Sequence, residues 1–214
     1  RNINAQSGIA SENNGTLSSV GNGVVAATGF GSAVVNNGVI EEISGGTYRG
    51  VECGILIAEN SQVGTISGGT FSGKYAIQVA GALQSITNAE AKGTSVGVNV
   101  VDTGTIQSIS GGSFEGTSVG LSVNGTVNSI SGGCFISTGS SGYAIRSTSS
   151  TLITFTCKDA EDENSYAGPL FKTSASMRET ALSDLETKYS YPSGMTLSGK
   201  VNSKGYFYIA RNVF

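Results

Sequence analysis

Pairs of hydroxyl residues recur along the chain, one on each side of an isoleucine. If the isoleucine of a β-strand points inward, both of its neighbours point outward. Stacked strands would then carry two parallel rows of hydroxyls on one flat face, with rungs about 4.8 Å apart. A ligand could bind such a face through hydrogen bonds, although residue type alone favours a plainer interpretation, an uncharged soluble strand surface. The candidate binding residues are Thr65, Ser67, Ser85, Thr87, Ser108, Ser110, Ser129 and Ser131, and Glu42 interrupts the face.

The residue types argue against catalysis. The chain has no histidine, which excludes Ser-His-Asp and Cys-His arrangements and histidine-based zinc sites. Polysaccharide lyases and hydrolases need paired carboxylates, or a base beside clustered acids. Here the acids between residues 41 and 115 are isolated, and the acidic run from Asp159 to Glu163 is typical of a solvated loop more than of a cation site. We therefore predict no catalytic residue, no metal and no cofactor.

Two of the three cysteines are candidates for a disulfide. Cys134 and Cys157 are 23 residues apart, and so are Ile130 and Ile153. If Ile153 stacks on Ile130, the two sulfurs lie on adjacent coils, with a Cα separation inside the disulfide range of about 4.4–6.8 Å. If Phe155 stacks on Ile130 instead, the thiols are pulled apart. The sequence leaves both registers open.

A repeated phrase predicts the fold that positions these residues. It is anchored by five isoleucines separated by 23, 20, 23 and 21 residues: Ile43 (ISGGTY), Ile66 (ISGGTF), Ile86 (ITNAEA), Ile109 (ISGGSF) and Ile130 (ISGGCF). Further columns of aliphatic residues keep the same period. Such self-similarity is typical of a solenoid, and the glycine density disfavours helices. We predict an all-β protein, a single parallel β-helix of about seven coils.

Corners of the coils fall at the glycine pairs. Ile66 and Phe71 are five residues apart, so both can face inward only if the chain turns between them, at Gly68 and Gly69. The same parity predicts a bend between Val63 and Ile66. The interior then holds an isoleucine stack and an aromatic stack, and Cys53 takes the position held in other coils by Tyr75, Val96, Val119 and Tyr143. The aromatic stack consists of Tyr48, Phe71, Phe114 and Phe135.

On these residues the chain resembles right-handed parallel β-helix proteins of the pectin-lyase-like class. More narrowly, it is similar to I-x-x-I-S-G-G-[TS]-F-x-G repeat proteins that anaerobic Gram-positive bacteria secrete or display on their surface. The resemblance covers roughly residues 8–157. It implies right-handed coils and an extracellular location, whereas most such repeat proteins have no assigned reaction. The hydroxyl rows also resemble the Thr-x-Thr face of β-solenoid ice-binding proteins, although most positions here are Ser and lack the methyl group.

The last part of the chain changes character. We divide the sequence into a solenoid, residues 1–157, and a C-terminal cap of small α+β type, residues 158–214. Ser176 and Glu179 form a capping-box pattern that opens a short helix extending to Tyr189. Residues 195–197 and 206–209 are predicted as the strands of a hairpin. These elements would cover the apolar cross-section and free strand edge at the end of a solenoid.

Composition narrows the partners. The 214 residues carry a net charge of −3 and only 13% charged residues, with no basic run, so nucleic acid is an unlikely partner. No apolar run reaches the roughly 20 residues that a membrane-spanning helix needs. The chain opens at Arg1 without a starting Met, which we interpret as a processed or truncated piece of a longer protein.

Three functional hypotheses follow. The first is a non-enzymatic secreted or cell-surface solenoid, a fragment of a bacterial adhesion or display protein that binds an extracellular protein or glycan as a monomer. The second is a carbohydrate-binding or carbohydrate-active β-helix, which a groove lined by exposed Tyr75, Tyr143 and nearby Asn or Asp residues would support and a smooth hydroxylated flank would not. The third is ice binding through the hydroxyl rows.

Overall fold

A computed structural model describes residues 2–6, 8–157, 166–177, 189–190 and 195–211. Within them the chain forms a right-handed parallel β-solenoid of about seven turns, and nearly all regular structure is β. The predicted fold class is confirmed. The one helical element in this described part is a 3-10 turn at Ala175–Met177.

Each coil has three flanks, numbered in the order in which the chain visits them. Flanks 1 and 2 belong to a 15-stranded sheet, and flank 3 is an eight-stranded sheet. Flank 1 contains Asn2–Ala5, Val24–Ala27, Thr47–Arg49, Ser113–Gly116, Cys134–Ser137 and Leu170–Lys172. Flank 2 contains Ser11–Asn13, Val34–Asn36, Cys53–Ile57, Val119–Val123 and Tyr143–Ser147. The strands Thr70–Val79 and Glu90–Val100 each run through flanks 1 and 2.

Flank 3 carries the predicted isoleucine column. Its strands are Thr16–Leu17, Val39–Ile43, Gln62–Ile66, Ala82–Ile86, Thr105–Ile109, Thr126–Ile130, Ile153–Phe155 and Tyr189–Ser190. In the central strands the anchoring isoleucines are paired directly, Ile66 with Ile86 and Ile86 with Ile109, and none of these three is exposed. Like side chains therefore stack on like side chains along the solenoid axis, which confirms the inward assignment.

Val63 and Ile66 are both buried on this flank although they are three residues apart. The chain between them is a continuous strand and not a corner, but the register pairs Val63 with Leu83 and Ile66 with Ile86 while Gly64 is skipped. The predicted bend is thus a local irregularity within the strand. Because of it, both residues between the buried positions, Gly64 and Thr65, lie on the outer side of the strand.

The aromatic stack is present in two pieces. The ring centroids of Tyr48 and Phe71 are 4.8 Å apart, and those of Phe114 and Phe135 are 5.2 Å apart. Ala91 occupies the same position in the coil between the pieces, since it pairs with both Phe71 and Phe114. The second piece continues beyond the prediction, into residues of the C-terminal segment, Phe171 and Phe207.

The glycine corners have the conformation that the repeat requires. The second glycine of each pair has a positive φ, for example +106° at Gly69, where a side chain would be strained. Its ideal Cβ would also lie 3.2 Å from the ring of Phe71, the residue that the corner turns inward. Cys53 is paired with Tyr75 on flank 2, as predicted for its corner position.

The C-terminal segment supplies a hairpin, Met195–Val201 with Phe207–Arg211. Its second strand pairs antiparallel with Leu170–Lys172, the last parallel strand of flank 1. The predicted hairpin is confirmed. Most of the predicted helix, residues 178–188, lies outside the described residues. Tyr189, which was expected at the end of that helix, instead belongs to a strand that pairs with Ile153–Phe155, so this part of the prediction is wrong.

Candidate ligand-binding faces

The residue before each flank 3 isoleucine forms an in-register row, here called the upstream row. Its consecutive partners are Glu42, Thr65, Ser85, Ser108 and Ser129. The row continues through Thr154 to Ser190. Six successive rungs therefore carry a hydroxyl, and the neighbouring strands set their spacing at about 4.8 Å.

The residue after each isoleucine forms a second row, the downstream row. Ser110 N donates to Ile86 O at 2.9 Å and Ser131 N donates to Ile109 O at 2.8 Å, so these residues follow the same stacking as the strands. Thr156 extends the row, because its N donates to Ile130 O at 2.9 Å. Ser110, Ser131 and Thr156 are exposed. The structure thus places all eight predicted hydroxyl residues on one flank, in two rows.

Some of these hydroxyls are already engaged within the protein. Thr65 Oγ1 and Ser85 Oγ are 2.9 Å apart, and Ser129 Oγ donates to Gln107 O at 3.2 Å. At the edge of the face, Ser67 Oγ donates to Glu42 Oε1 at 2.6 Å, so the carboxylate that interrupts the upstream row is held by the downstream row. These contacts order the side chains and leave the exposed downstream hydroxyls directed to solvent.

Sequence reasoning missed part of this face. Thr154, Thr156 and Ser190 continue the rows, and a third row of exposed amides lies beside them, formed by Gln84, Gln107 and Asn128. Asn128 Nδ2 donates to Gln107 Oε1. A signal for the amide row was available, since each of these residues directly follows the aliphatic residue that begins the buried part of the strand.

The acidic side chains of the coils form no metal-binding cluster within the described residues. Within the described residues an ion pair joins Lys92 Nζ to Glu90 Oε1 at 2.8 Å, and the hydrogen bond to this carboxylate raises the pKa of Lys92. Both side chains are exposed. No group of three or more Cys, Asp or Glu side chains in the described part of the chain is placed to hold a metal ion. The acidic run from Asp159 to Glu163 lies outside the described residues.

The cysteines follow the second of the two registers. Phe155, and not Ile153, pairs with Ile130, and Cys134 pairs with Leu170. The structure carries Cys134 and Cys157 as thiols rather than as a disulfide. Burial raises the pKa of Cys134 and raises that of the deeply buried Cys53 to about 11, so neither thiol is activated as a nucleophile.

Tyr75 and Tyr143 do not meet in a groove. They belong to one row on flank 2, but Val96 and Val119 separate them. Each ring has a cation over it: Lys74 Nζ is 5.3 Å from the Tyr75 centroid, and the Arg146 guanidinium carbon is 5.3 Å from that of Tyr143. The aromatic groove that would have supported the carbohydrate hypothesis is therefore not formed by these residues.

Fold and surface together define a parallel β-solenoid with a hydroxyl- and amide-lined flank. Comparison with protein-family models, with curated proteins and with solved structures gives no significant match to the chain. None of the helical structure in the described residues is long and apolar enough to cross a membrane.

Proposed function

We propose that this chain is a non-enzymatic β-solenoid of a secreted or cell-surface adhesion or display protein, of the kind that its repeat resembles in Gram-positive bacteria. Flank 3 is its binding face for an extracellular ligand. The observation that carries the proposal is the in-register upstream row of six hydroxyls, flanked by the exposed downstream row and the amide row. A rigid, uncharged array of donors and acceptors suits a ligand that repeats or lies flat.

The entropy cost of binding is small for such a face, which favours a binding role over a merely soluble surface. Hydroxyls fixed by strand pairing and by contacts such as Thr65 with Ser85 lose little entropy when a ligand engages them. The core supplies the rigidity, since Ile86, Ile109 and Ile130 are fully buried directly beneath the rows. Preorganisation of this kind improves affinity without adding contacts.

An array experiment tests the proposal. The labelled protein is applied to immobilised extracellular-matrix proteins, mucins and glycans, in parallel with a variant carrying Ser110→Lys and Ser131→Lys. Two long charged side chains in the exposed downstream row are expected to abolish any binding while the melting temperature stays unchanged. Ser122→Lys, an outward position on flank 2, is the matched control. Binding that survives the flank 3 substitutions would refute the assignment of this face.

A further inference from the structure

The corner between flank 2 and flank 3 alternates between long and short connections. Residues 58–61 join Ile57 to Gln62, whereas only residues 80 and 81 join Val79 to Ala82. In the next two coils the connection is again long, residues 101–104, and then short, residues 124 and 125. Long connections project beyond the short ones. Two clefts therefore open along this corner, each with a short connection as its floor.

The two clefts are built in the same way. The long connections are turns closed by equivalent backbone hydrogen bonds, Ser61 N to Ala58 O at 3.2 Å and Gly104 N to Val101 O at 2.8 Å. In the short connection that forms each cleft floor, a glycine packs closely against the turn that precedes it in the chain. A Cβ on Gly81 would lie 2.3 Å from Ala58 O, and a Cβ on Gly125 would lie 2.3 Å from Val101 O. The corner thus repeats every two coils, although the sequence repeat is one coil.

Each turn presents a carboxylate at its second position. Glu59 and Asp102 occupy this equivalent position, line the two clefts and are exposed. No ion pair or side-chain hydrogen bond engages either carboxylate in the described part of the chain. The residues that line the clefts include no Lys or Arg and no aromatic ring. Two uncompensated negative charges are therefore repeated along the corner, about 9.6 Å apart at two coil spacings.

Neutral hydrogen-bonding groups accompany each charge. The first cleft, of about 380 Å³, contains the Asn60 amide beside Glu59. The second, of about 520 Å³, contains Asn124, whose Oδ1 accepts a hydrogen bond from Thr148 Oγ1 at 2.8 Å. That bond occupies the side-chain oxygen of Asn124, and its NH₂ group is left to donate to a ligand. Each cleft thus offers one anion for a cationic group and one amide for a carbonyl oxygen.

From this repeat we infer that the corner binds an extended peptide in the polyproline II conformation with a basic residue at every third position. Such a helix has three residues per turn and advances about 9.3 Å per turn, close to the spacing of the two clefts. Its basic side chains then lie along one edge, one for each carboxylate, and its backbone carbonyls, which lack internal hydrogen bonds, accept from the cleft amides. A glycan fits less well because sugar rings stack on aromatic side chains, which these clefts lack.

This inference names a partner class for the binding role proposed above and rests on it in that respect, but it uses a different surface. The two fail separately, because substitutions on flank 3 leave the corner intact. The peptide also requires no change in the protein, since both turns are fixed by backbone hydrogen bonds and by the glycines beneath them.

A fluorescence-polarisation titration tests the inference with two labelled twelve-residue peptides of identical composition. One is (Pro-Pro-Arg)₄, and the other has its four arginines at irregular spacing. The regular peptide is expected to bind more tightly, with a ~5-fold loss of affinity in the double variant Glu59→Gln, Asp102→Asn, a size within the range that the removal of two exposed ion pairs implies. Raising the salt from 50 to 300 mM is expected to weaken binding similarly. Glu52→Gln, at an exposed corner elsewhere, is the control and is expected to leave affinity unchanged.

The same titration contains the results that overturn the inference. Equal affinity for the two peptides would show that the cleft spacing is not recognised. Unchanged affinity in the double variant would place the peptide elsewhere, with melting curves confirming that the variant is folded. If cellohexaose, a neutral β-linked hexasaccharide, binds the corner and the regular peptide does not, the clefts are a glycan site and the peptide assignment is wrong.

Discussion

Replacement of Ile109 by Asp is expected to destabilise the central coils strongly. Ile109 is fully buried and is paired with Ile86 on one side and Ile130 on the other. Truncation of such a side chain costs about 2–5 kcal/mol, and an unpartnered carboxyl in its place adds about 1–3 kcal/mol. A whole domain is stable by only about 5–15 kcal/mol. One substitution therefore removes a large share of the total.

The size of the effect follows from the length of the protein. For a chain of this size, each kcal/mol lowers the melting temperature by about 2–4 °C, so a drop of at least ~6 °C is expected, or no transition at all. The assay is thermal unfolding followed by circular dichroism. Ser108→Asp is the matched control, because it places the same carboxylate one residue away on the outward, half-buried row. A melting temperature for Ile109→Asp within ~3 °C of the parent would refute the stacked-core reasoning.

Four further outcomes are expected. Truncation after Ser190 removes the hairpin that covers the strand Leu170–Lys172, so the shortened protein should self-associate in light scattering; a monomer would show that the hairpin is not a cap. Tyr48→Phe loses the 2.7 Å hydrogen bond to a backbone carbonyl, yet it should gain in relative stability above pH 10. Burial raises the pKa of Tyr48 to about 12, so the parent loses stability as the pH rises from 10 towards 12, whereas Phe has no such dependence; parallel urea titrations of both proteins at pH 8 and pH 11 measure the difference. Incubation with pectin-type polysaccharides should release neither unsaturated products nor reducing ends, and nanolitre osmometry should find no thermal hysteresis, since most of the hydroxyl rungs lack a methyl group.

The interior was predictable because each coil of the solenoid packs in the same way as the next. In most coils the anchor is an isoleucine and a glycine of the following corner has a positive φ, so periodicity alone locates Ile66, Gly69 and Phe71. The hydroxyl rows then follow by alternation. Where the coil length stays regular, the outward positions could therefore be predicted directly from the inward ones.

Prediction failed where the coil length changes. Ser129 is paired with Thr154, 25 residues later, because two connections of this coil are longer than in the coil before it. Residues 138–142 take the place of residues 117 and 118 between flanks 1 and 2, and the connection after Ser147 is one residue longer. Spacing alone could not distinguish this register from the one that stacks Ile153 on Ile130. Tyr189 was misassigned for a different reason. Its segment has a helical pattern of apolar residues, but pairing with the edge of Ile153–Phe155 places it in a strand. Tertiary pairing overrode the local pattern.

The corner clefts show how one backbone can display two different spacings. Flank 3 repeats at every coil, because strand pairing fixes one rung for each turn of about 4.8 Å. The corner repeats at every second coil, because only alternate connections are long enough to form the turns that carry Glu59 and Asp102. Both spacings depend on the same stacked core. A surface substitution should thus affect one of the two proposed binding surfaces at a time, whereas a core substitution such as Ile109→Asp should disrupt both together.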